Sequence, residues 1–354
     1  MKFVMAGGGT GGHVIPALAV AQELQKRGHE SVFFGTTAGY EFRLVPAAGF
    51  SLELIRIGGL NRVSAAQIFR TLWQLPSSTL QVWLWMGRNQ PGGVFSMGGY
   101  VAGPVVLAGL LRGLPLVAME PNAVPGLTNR KAARWVSRAL ISFEETAAFF
   151  PQGRSERTGL PVREAFFQAY EPRESARPFT ILITGGSQGS RTLNNASRDS
   201  WRLFAECGYK LRIVHQAGRG NVSALSGAPA FVELTEFIQD MPAVVAEADL
   251  VISRAGASTV SEMAAAGKPT ILVPFPFAAD DHQRKNARAM ERLGAARMIE
   301  DKEMTGERLF TEVIRLLEAP ESLRSMGDAA RQMARPGAAR RACEILEEFA
   351  NESH

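Results

Sequence analysis

Cysteine is nearly absent, with Cys207 and Cys343 the only two in 354 residues, and the five histidines are scattered. Two thiols so far apart build no disulfide framework, and no CxxC or HxxxH spacing offers ligands to a metal. A reducing compartment and a metal-free site are the expectation. Aspartate does not occur before Asp199, and the adjacent pair Asp280-Asp281 lacks the DxD spacing of a metal-held nucleotide. The longest apolar run, Tyr100 to Leu111, carries Gly103, Pro104 and Gly109 and stops at Arg112, short of the roughly 20 residues that a spanning helix needs. No charged leader precedes an apolar segment at the N-terminus, so neither export nor membrane crossing is expected.

The remaining composition, 46% hydrophobic and 21% charged with 35 Gly and 19 Pro, is that of a folded globular chain. Its length suits about two domains. The net charge of +5 is uneven, since residues 1–164 hold 16 Lys/Arg against 9 Asp/Glu. From Leu54 to Met119 there are five arginines (Arg56, Arg62, Arg70, Arg88, Arg112) and no acid, and Trp73, Trp83 and Trp85 lie in the same stretch with Ile68, Phe69, Leu72, Leu75, Leu80, Val82, Leu84 and Met86. Arginine beside tryptophan and aliphatic residues suits an anionic membrane surface, because the rings settle at headgroup depth while the cations meet lipid phosphate. Nucleic acid is another anionic partner to weigh. Core helices with solvated arginines are the plainer alternative.

A short apolar strand, Lys2 to Ala6, leads into Gly7-Gly8-Gly9-Thr10-Gly11-Gly12-His13 and then a helix-favouring stretch, Val14 to Arg27, with Gly28 where a C′ residue belongs. Val32-Phe33-Phe34 reads as the next strand. Apolar strands alternating with helices predict a doubly wound α/β domain. The pattern restarts at Phe179 to Thr184, followed by Gly185-Gly186-Ser187-Gln188-Gly189-Ser190 and a helix through Trp201 to Glu206. Leu211 to His215, Phe231 to Leu234, Leu250 to Ser253 and Thr270 to Val273 are further strands, and a last helix runs from Ala338 to about Ala350. The Pro-, Gly- and Arg-rich segment Pro151 to Pro178 reads as the connection between two similar domains. Such a pair predicts a cleft between them.

The first glycine run matches GxGxxG, yet the second strand ends in Gly35-Thr36-Thr37, without the acid that a dinucleotide site needs for the ribose diol. NAD is therefore disfavoured, while the loop amides still suit phosphate. His13, next to the glycines, is either a base facing the cleft or a structural histidine. In the second domain, Leu250 to Ser253 runs through Arg254-Ala255-Gly256 into a helix starting near Ala257-Ser258-Thr259, whose free amides and dipole favour a diphosphate. Glu262, one turn in, is placed for a bidentate bond to vicinal ribose hydroxyls, unless it is only an acid in the first turn of a capped helix. The prolines of Pro274-Phe275-Pro276 stiffen a loop that ends in Asp280-Asp281-His282-Gln283, polar side chains for a polyhydroxylated ligand.

The segments GGGTGGHV (7–14), GGYVAGP (98–104), TGLPVR (158–163), GGSQGS (185–190), EFIQDM (236–241), SRAGASTVSEMAAAGKP (253–269) and DHQRKNA (281–287) run in order through both halves. Together they resemble the MurG family within glycosyltransferase family 28. These bacterial transferases move GlcNAc from UDP-N-acetylglucosamine (UDP-GlcNAc) to lipid I, undecaprenyl-pyrophosphoryl-MurNAc-pentapeptide, giving lipid II for peptidoglycan. The resemblance implies the GT-B fold, two Rossmann-like doubly wound domains with an interdomain cleft. Residues 1–160 would be the acceptor and membrane-facing domain, 161–337 the UDP-GlcNAc-binding domain, and 338–354 a helix packing back on the first domain.

Carried over by residue, Ser187 and the run Ala257-Ser258-Thr259-Val260-Ser261-Glu262 would hold the donor, with Glu262 on the ribose diol, the Ile238 backbone on the uracil and Gln283 on GlcNAc hydroxyls. Arg163, Asn122 and Thr10-Gly11-Gly12 would complete the donor contacts, Arg163 stabilising the charge on departing UDP. No cofactor or metal is implied. Where the family often has His-Glu-Gln-Asn, this chain reads Met119-Glu120-Pro121-Asn122, which leaves the catalytic base between His13 and Glu120. His13 is favoured, because a neutral imidazole takes a proton near neutral pH. The reaction implied is direct displacement at sugar C1 by the acceptor C4 hydroxyl, inverting α to β. A lipid acceptor also favours the membrane reading of residues 56–88 over nucleic acid, placing the chain peripherally on the cytoplasmic face of the inner membrane, with a cell-wall synthesis complex as a further partner. Another UDP-sugar enzyme, whether a glycolipid transferase or a 2-epimerase, and a silent UDP-GlcNAc-binding scaffold are the alternatives.

Overall fold

The computed structural model describes residues 1–58, 65–168 and 177–352, so Arg62 of the basic stretch and the side chains of Ile68, Arg70 and Leu72 lie outside the described residues. The chain divides into two compact units, Met1–Pro161 with Gly337–His354, and Val162–Pro336.

The first unit runs β1 (Lys2–Gly7), α1 (Gly11–Lys26), β2 (Glu30–Gly35), α2 (Glu41–Ala47), β3 (Ser51–Leu54), α3 (Ala65–Asn89), β4 (Gly93–Gly98), α4 (Ala102–Leu111), β5 (Leu116–Glu120), α5 (Leu127–Ala132), β6 (Arg138–Ile141) and β7 (Ser155–Glu156). Among the described residues these strands form one parallel sheet, in the order β3-β2-β1-β4-β5-β6-β7. Strands β1, β4 and β5 are buried almost throughout, which explains their unbroken apolar runs, since helices cover both faces of a parallel sheet. The winding reverses between β1 and β4, the switch point at whose carboxyl ends ligands bind in open α/β sheets.

In the second unit come β8 (Phe179–Thr184), α6 (Arg191–Glu206), β9 (Leu211–Gln216), β10 (Val232–Thr235), α7 (Met241–Glu247), β11 (Leu250–Ser253), α8 (Ala257–Ala266), β12 (Thr270–Leu272), α9 (His282–Arg292), β13 (Arg297–Met298), α10 (Gly306–Leu317) and α11 (Pro320–Met333). Their parallel sheet has the order β10-β9-β8-β11-β12-β13, so its switch point lies between β8 and β11. The last helix, α12 (Ala338–Glu352), belongs to the first unit. Its Ala342, Cys343, Ile345 and Leu346 share a core with Val20, Ala21 and Leu24 of α1, and Glu347 takes bonds from Arg27 and His29.

Two expectations change. Helix α1 starts at Gly11 rather than Val14: Thr10 adopts extended N-cap geometry (φ −129°, ψ 156°), and the glycines before it are pinned from outside by Met97 and Tyr100. Tertiary packing here outweighs the low helix propensity of glycine. Residues 65–89, with Pro76 inside, form one helix. Its inward face carries Leu75, Val82 and Met86, and Trp83 and Trp85 also pack against that core. Trp85 stands edge-on to Phe34 and donates its ring N–H to Glu53, while Trp83 lies under the Arg112 guanidinium, 3.7 Å from ring centre. These two tryptophans are therefore not an open membrane-facing surface. The outward residues are Phe69, Trp73, Leu80 and Leu84, with Trp73 78% exposed. Among the described residues no helix is long and apolar enough to cross a membrane.

Candidate functional site

At the switch point of the first sheet, the loop after β1 brings His13 onto the first turn of α1. Its Nδ1 lies 3.3 Å from the Gly8 carbonyl and 3.4 Å from Thr10 Oγ1. A carbonyl only accepts, so in the neutral ring Nδ1 carries the proton and Nε2 keeps the lone pair, the state a general base requires. The imidazole rests against Gly99, where an added Cβ would come within 3.2 Å of Nδ1.

The acid missing from the end of β2 reaches this loop by another route. Glu41, the first residue of α2, is fully buried, and its carboxylate accepts from Gly9 N (2.8 Å), Thr36 N (2.9 Å) and Thr36 Oγ1 (3.1 Å). A Cβ on Gly8, Gly35 or Gly39 would strike that side chain, so three glycines make room for one carboxylate. The Gly9 amide, which the sequence offers to a phosphate, is bonded within the chain. Glu41 was not legible in the motif, although the glycines around it are the signal that it could have been.

Glu120 ends β5, 2% exposed, and accepts from the Asn122 amide, Asn122 Nδ2, the Gly126 amide and Asn129 Nδ2. Burial raises its pKa, against the pull of these donors. Four donors on one buried carboxylate make it the anchor of the loop from Asn122 to Asn129, and leave it poorly placed to take a substrate proton.

In the second unit, the glycine loop after β8 is wedged against the end of β9. A Cβ on Gly189 would overlap the Ala217 carbonyl, and one on Gly218 would overlap the Gly189 backbone. Ser187 is exposed on this loop. Ser190 caps α6 by accepting from the Leu193 amide, so the first turn of that helix is already served. At the second loop of the switch point, α8 follows Gly256, which has extended N-cap geometry and no side chain to cap with, and its first turn holds no acid. The half-exposed Ala257, Ser258 and Thr259 present that turn, a ready anion site. Val260 is buried and Ser261 half-buried behind them. One turn further, withdrawal from water pushes the Glu262 carboxyl up to about 7, against the opposing charge of Arg163. Arg163, itself exposed, lies with its guanidinium over the Phe166 ring at 5.1 Å. Arg163 and Glu262, read from two separate segments, thus approach one another within the second unit.

Two expected ligand contacts are already partly engaged. The Ile238 amide donates to Gln216 Oε1 at 2.9 Å, while Gln216 donates to Thr184, so the carbonyl is the backbone group of Ile238 left for a uracil. Gln283 Oε1 accepts from the Phe275 amide, which leaves its amide NH₂ to donate. Arg254 ties the same loop by donating to the Val273 and Pro274 carbonyls and to Asp301. Gln216 and Arg254 escaped sequence reasoning because their partners lie 22 and 47 residues away. Asp280 and Asp281 adopt consecutive left-handed conformations (φ 49° and 55°) just before α9, conformations that aspartate tolerates better than most residues.

Models of glycosyltransferase family 28 match the chain twice, the N-terminal domain over residues 3–141 and the C-terminal domain over residues 180–342. The chain belongs to glycosyltransferase family 28. A family member from Solibacter usitatus (strain Ellin6076) is 60% identical over 99% of this chain and 96% of its own. It is named UDP-N-acetylglucosamine--N-acetylmuramyl-(pentapeptide) pyrophosphoryl-undecaprenol N-acetylglucosamine transferase. A protein of the same name from Myxococcus xanthus (strain DK1622) is 39% identical over 98% of this chain and 92% of its own. Among solved structures, Acinetobacter baumannii MurG matches with a TM-score of 0.82 at 34% identity, covering 98% of this chain and 99% of that one. As in that family 28 structure, the two Rossmann-like units make up a GT-B fold.

Proposed function

We propose that this chain is the inverting transferase that moves GlcNAc from UDP-GlcNAc to the C4 hydroxyl of MurNAc in lipid I, releasing UDP and lipid II. The observation that carries the donor half is the uncapped first turn of α8 with Glu262 and Arg163 beside it. Amides 257–259, together with Ser187, bind the diphosphate, Glu262 accepts from the ribose diol, the Ile238 carbonyl accepts from uracil N3–H, and Gln283 donates to the sugar. Thr10, Gly11, Gly12 and Asn122 are further donor-binding residues of this reading. The acceptor is assigned through the nearly full-length relatives, named for transfer to a pyrophosphoryl-undecaprenol glycolipid.

His13 Nε2 takes the proton of the C4 hydroxyl as its oxygen attacks C1. The C1–O bond to the diphosphate breaks on the opposite face, and the amides of α8 with Arg163 stabilise the leaving negative charge. No cofactor enters. The test is UDP release and product mass with purified protein, UDP-GlcNAc and a short-chain lipid I analogue, with and without EDTA. Gain of one N-acetylhexosamine, unchanged by EDTA, is expected. Tight donor binding without transfer would point to a silent scaffold or another acceptor.

The chain acts peripherally on the inner face of the cytoplasmic membrane, docked by the outward face of α3. The apolar residues of that face, flanked by exposed Arg56, Arg88 and Arg112, suit an anionic lipid surface. Phe69→Ser with Trp73→Ser should lower co-sedimentation with anionic liposomes several-fold, and unchanged binding would remove α3 from the membrane contact.

A further inference from the structure

One peptide group, between Gly8 and Gly9, is engaged at both ends. Its N–H donates to Glu41 Oε2 at 2.8 Å, and its carbonyl oxygen lies 3.3 Å from His13 Nδ1. In a trans peptide these two groups point to opposite edges of a single resonance-stabilised plane, so drawing the N–H toward a carboxylate places more negative charge on the oxygen. We propose that Glu41 acts on His13 through this peptide, as a positioning residue that fixes the Nδ1–H tautomer and raises the basicity of Nε2. A triad carboxylate does the same by direct contact; here one amide is interposed. The inference rests on His13 being the base, as proposed above.

The surroundings hold the relay in register. Thr36 has one hydroxyl proton, which goes to Glu41, so the Tyr100 hydroxyl at 3.2 Å donates to Thr36. The Tyr100 ring presses on Gly9, whose φ of +87° is open to glycine, and an added Cβ there would come within 2.7 Å of the ring. The titratable and charged groups on elements packed around this loop include Glu41 and Arg43 of α2, Tyr100, Glu120, and Arg130 and Lys131 of α5. Glu120 is engaged by Asn122, Gly126 and Asn129, and the α12 acid Glu347 meets α1 only past its far end, at Arg27 and His29. Among the described residues Glu41 is the carboxylate bonded directly to the Gly8–Gly9 peptide, and Tyr100 reaches it through Thr36 and Glu41.

The experiment is ¹⁵N NMR titration of the histidines in the full chain, read beside the pH profile of transfer. In the native protein, neutral His13 should be the Nδ1–H tautomer. Glu41→Gln keeps the volume and removes the charge; it should lower the His13 pKa by about half a unit or more, and the acid limb of kcat/KM should move down with it. Thr36→Val removes a competing donor and should move the pKa the other way, by a few tenths of a unit. In Glu41→Gln, kcat should fall about fivefold or more, while the Kd for UDP-GlcNAc changes by less than about twofold. An unmoved His13 pKa in folded Glu41→Gln overturns the relay, as does a loss shared equally by donor binding and turnover. Should Glu41→Gln fail to fold, an unmoved pKa in Thr36→Val overturns it. A shifted pKa with transfer unaffected by both Glu41→Gln and His13→Ala supports the relay but removes His13 as the base.

Discussion

At the switch point of the first sheet the Gly9 amide is bonded to Glu41, a carboxylate that the chain supplies itself. At that of the second, α8 opens behind Gly256, with neither a side-chain cap nor an acid in its first turn. Both sites grow from a strand, a short glycine-bearing turn and a helix, so motif and topology alone would give both the same ligand. The helices themselves open alike, since α1 too has no side-chain cap bond and no acid in its first turn. The difference lies in the loop ahead of them: in the first unit its Gly9 amide is held by Glu41, which makes the loop a mount for His13, while the first turn of α8 suits a phosphate from outside.

The largest effect should come from removing what the first loop mounts. His13→Ala is expected to lower turnover by about 10² to 10⁴-fold with little change in donor affinity. The measurement is steady-state transfer beside calorimetric UDP-GlcNAc binding. Glu120→Gln should act on stability first, because it disturbs four donors that one carboxylate satisfies. If His13→Ala cost less than about tenfold while Glu120→Gln abolished transfer, the roles would be exchanged.

The comparison can be broken outright by giving α8 what the first loop has. Gly256 sits at φ −65° and ψ 143°, and a Cβ there would meet only Thr259 Oγ1 at 4.0 Å, so Gly256→Asp fits without strain. Its carboxylate would cap the first turn, raising stability by about 0.5 kcal/mol. It should also exclude the diphosphate, weakening UDP-GlcNAc about a hundredfold by occupation and like charge. A stabler protein with undiminished donor affinity would show that the diphosphate binds elsewhere.

Glu262 sharpens the comparison through pH. Burial pushes its carboxyl up to about 7 from the ordinary 4.5, and a ribose diol held there as proposed would donate best to the ionised form. Donor affinity should therefore rise as pH climbs through 7. Folding stability moves oppositely: the folded protein holds this proton more tightly than the unfolded chain, so stability is lost as pH rises from 4.5 to about 7. Glu262→Gln should weaken UDP-GlcNAc about tenfold at pH 8 and flatten both dependences.

How much of this could be read beforehand follows from the range of each interaction. Phe179–Thr184 and Leu250–Ser253 are strands with the expected bounds, because an unbroken apolar run is a local signal. The alternation of faces in α3 is also local: Phe69, Trp73, Leu80 and Leu84 share one side and Leu75, Val82 and Met86 another, whereas composition alone groups the outward Trp73 with the core-packed Trp83 and Trp85. Glu41 was hidden for a different reason. A dinucleotide pattern puts the acid at the end of β2, whereas this carboxylate folds back from α2 into space left by three glycines. Motif matching named Ile238 and Gln283, but the donors and acceptors that Gln216 and Phe275 already engage exist only in the folded sheet.

The smallest expected effect tests whether α6 belongs with α8. Ser190 caps α6 through the Leu193 amide at 3.3 Å, and Ser190→Ala should cost about 1 kcal/mol of stability, read by urea unfolding. The loop itself should stay in place, since Gly189 and Gly218 interlock without help from the cap. Donor affinity should then hold within about twofold, because Ser187 remains presented and the first turn of α8 is untouched. A tenfold loss with the fold intact would mean that the first turn of α6 shares the anion with α8.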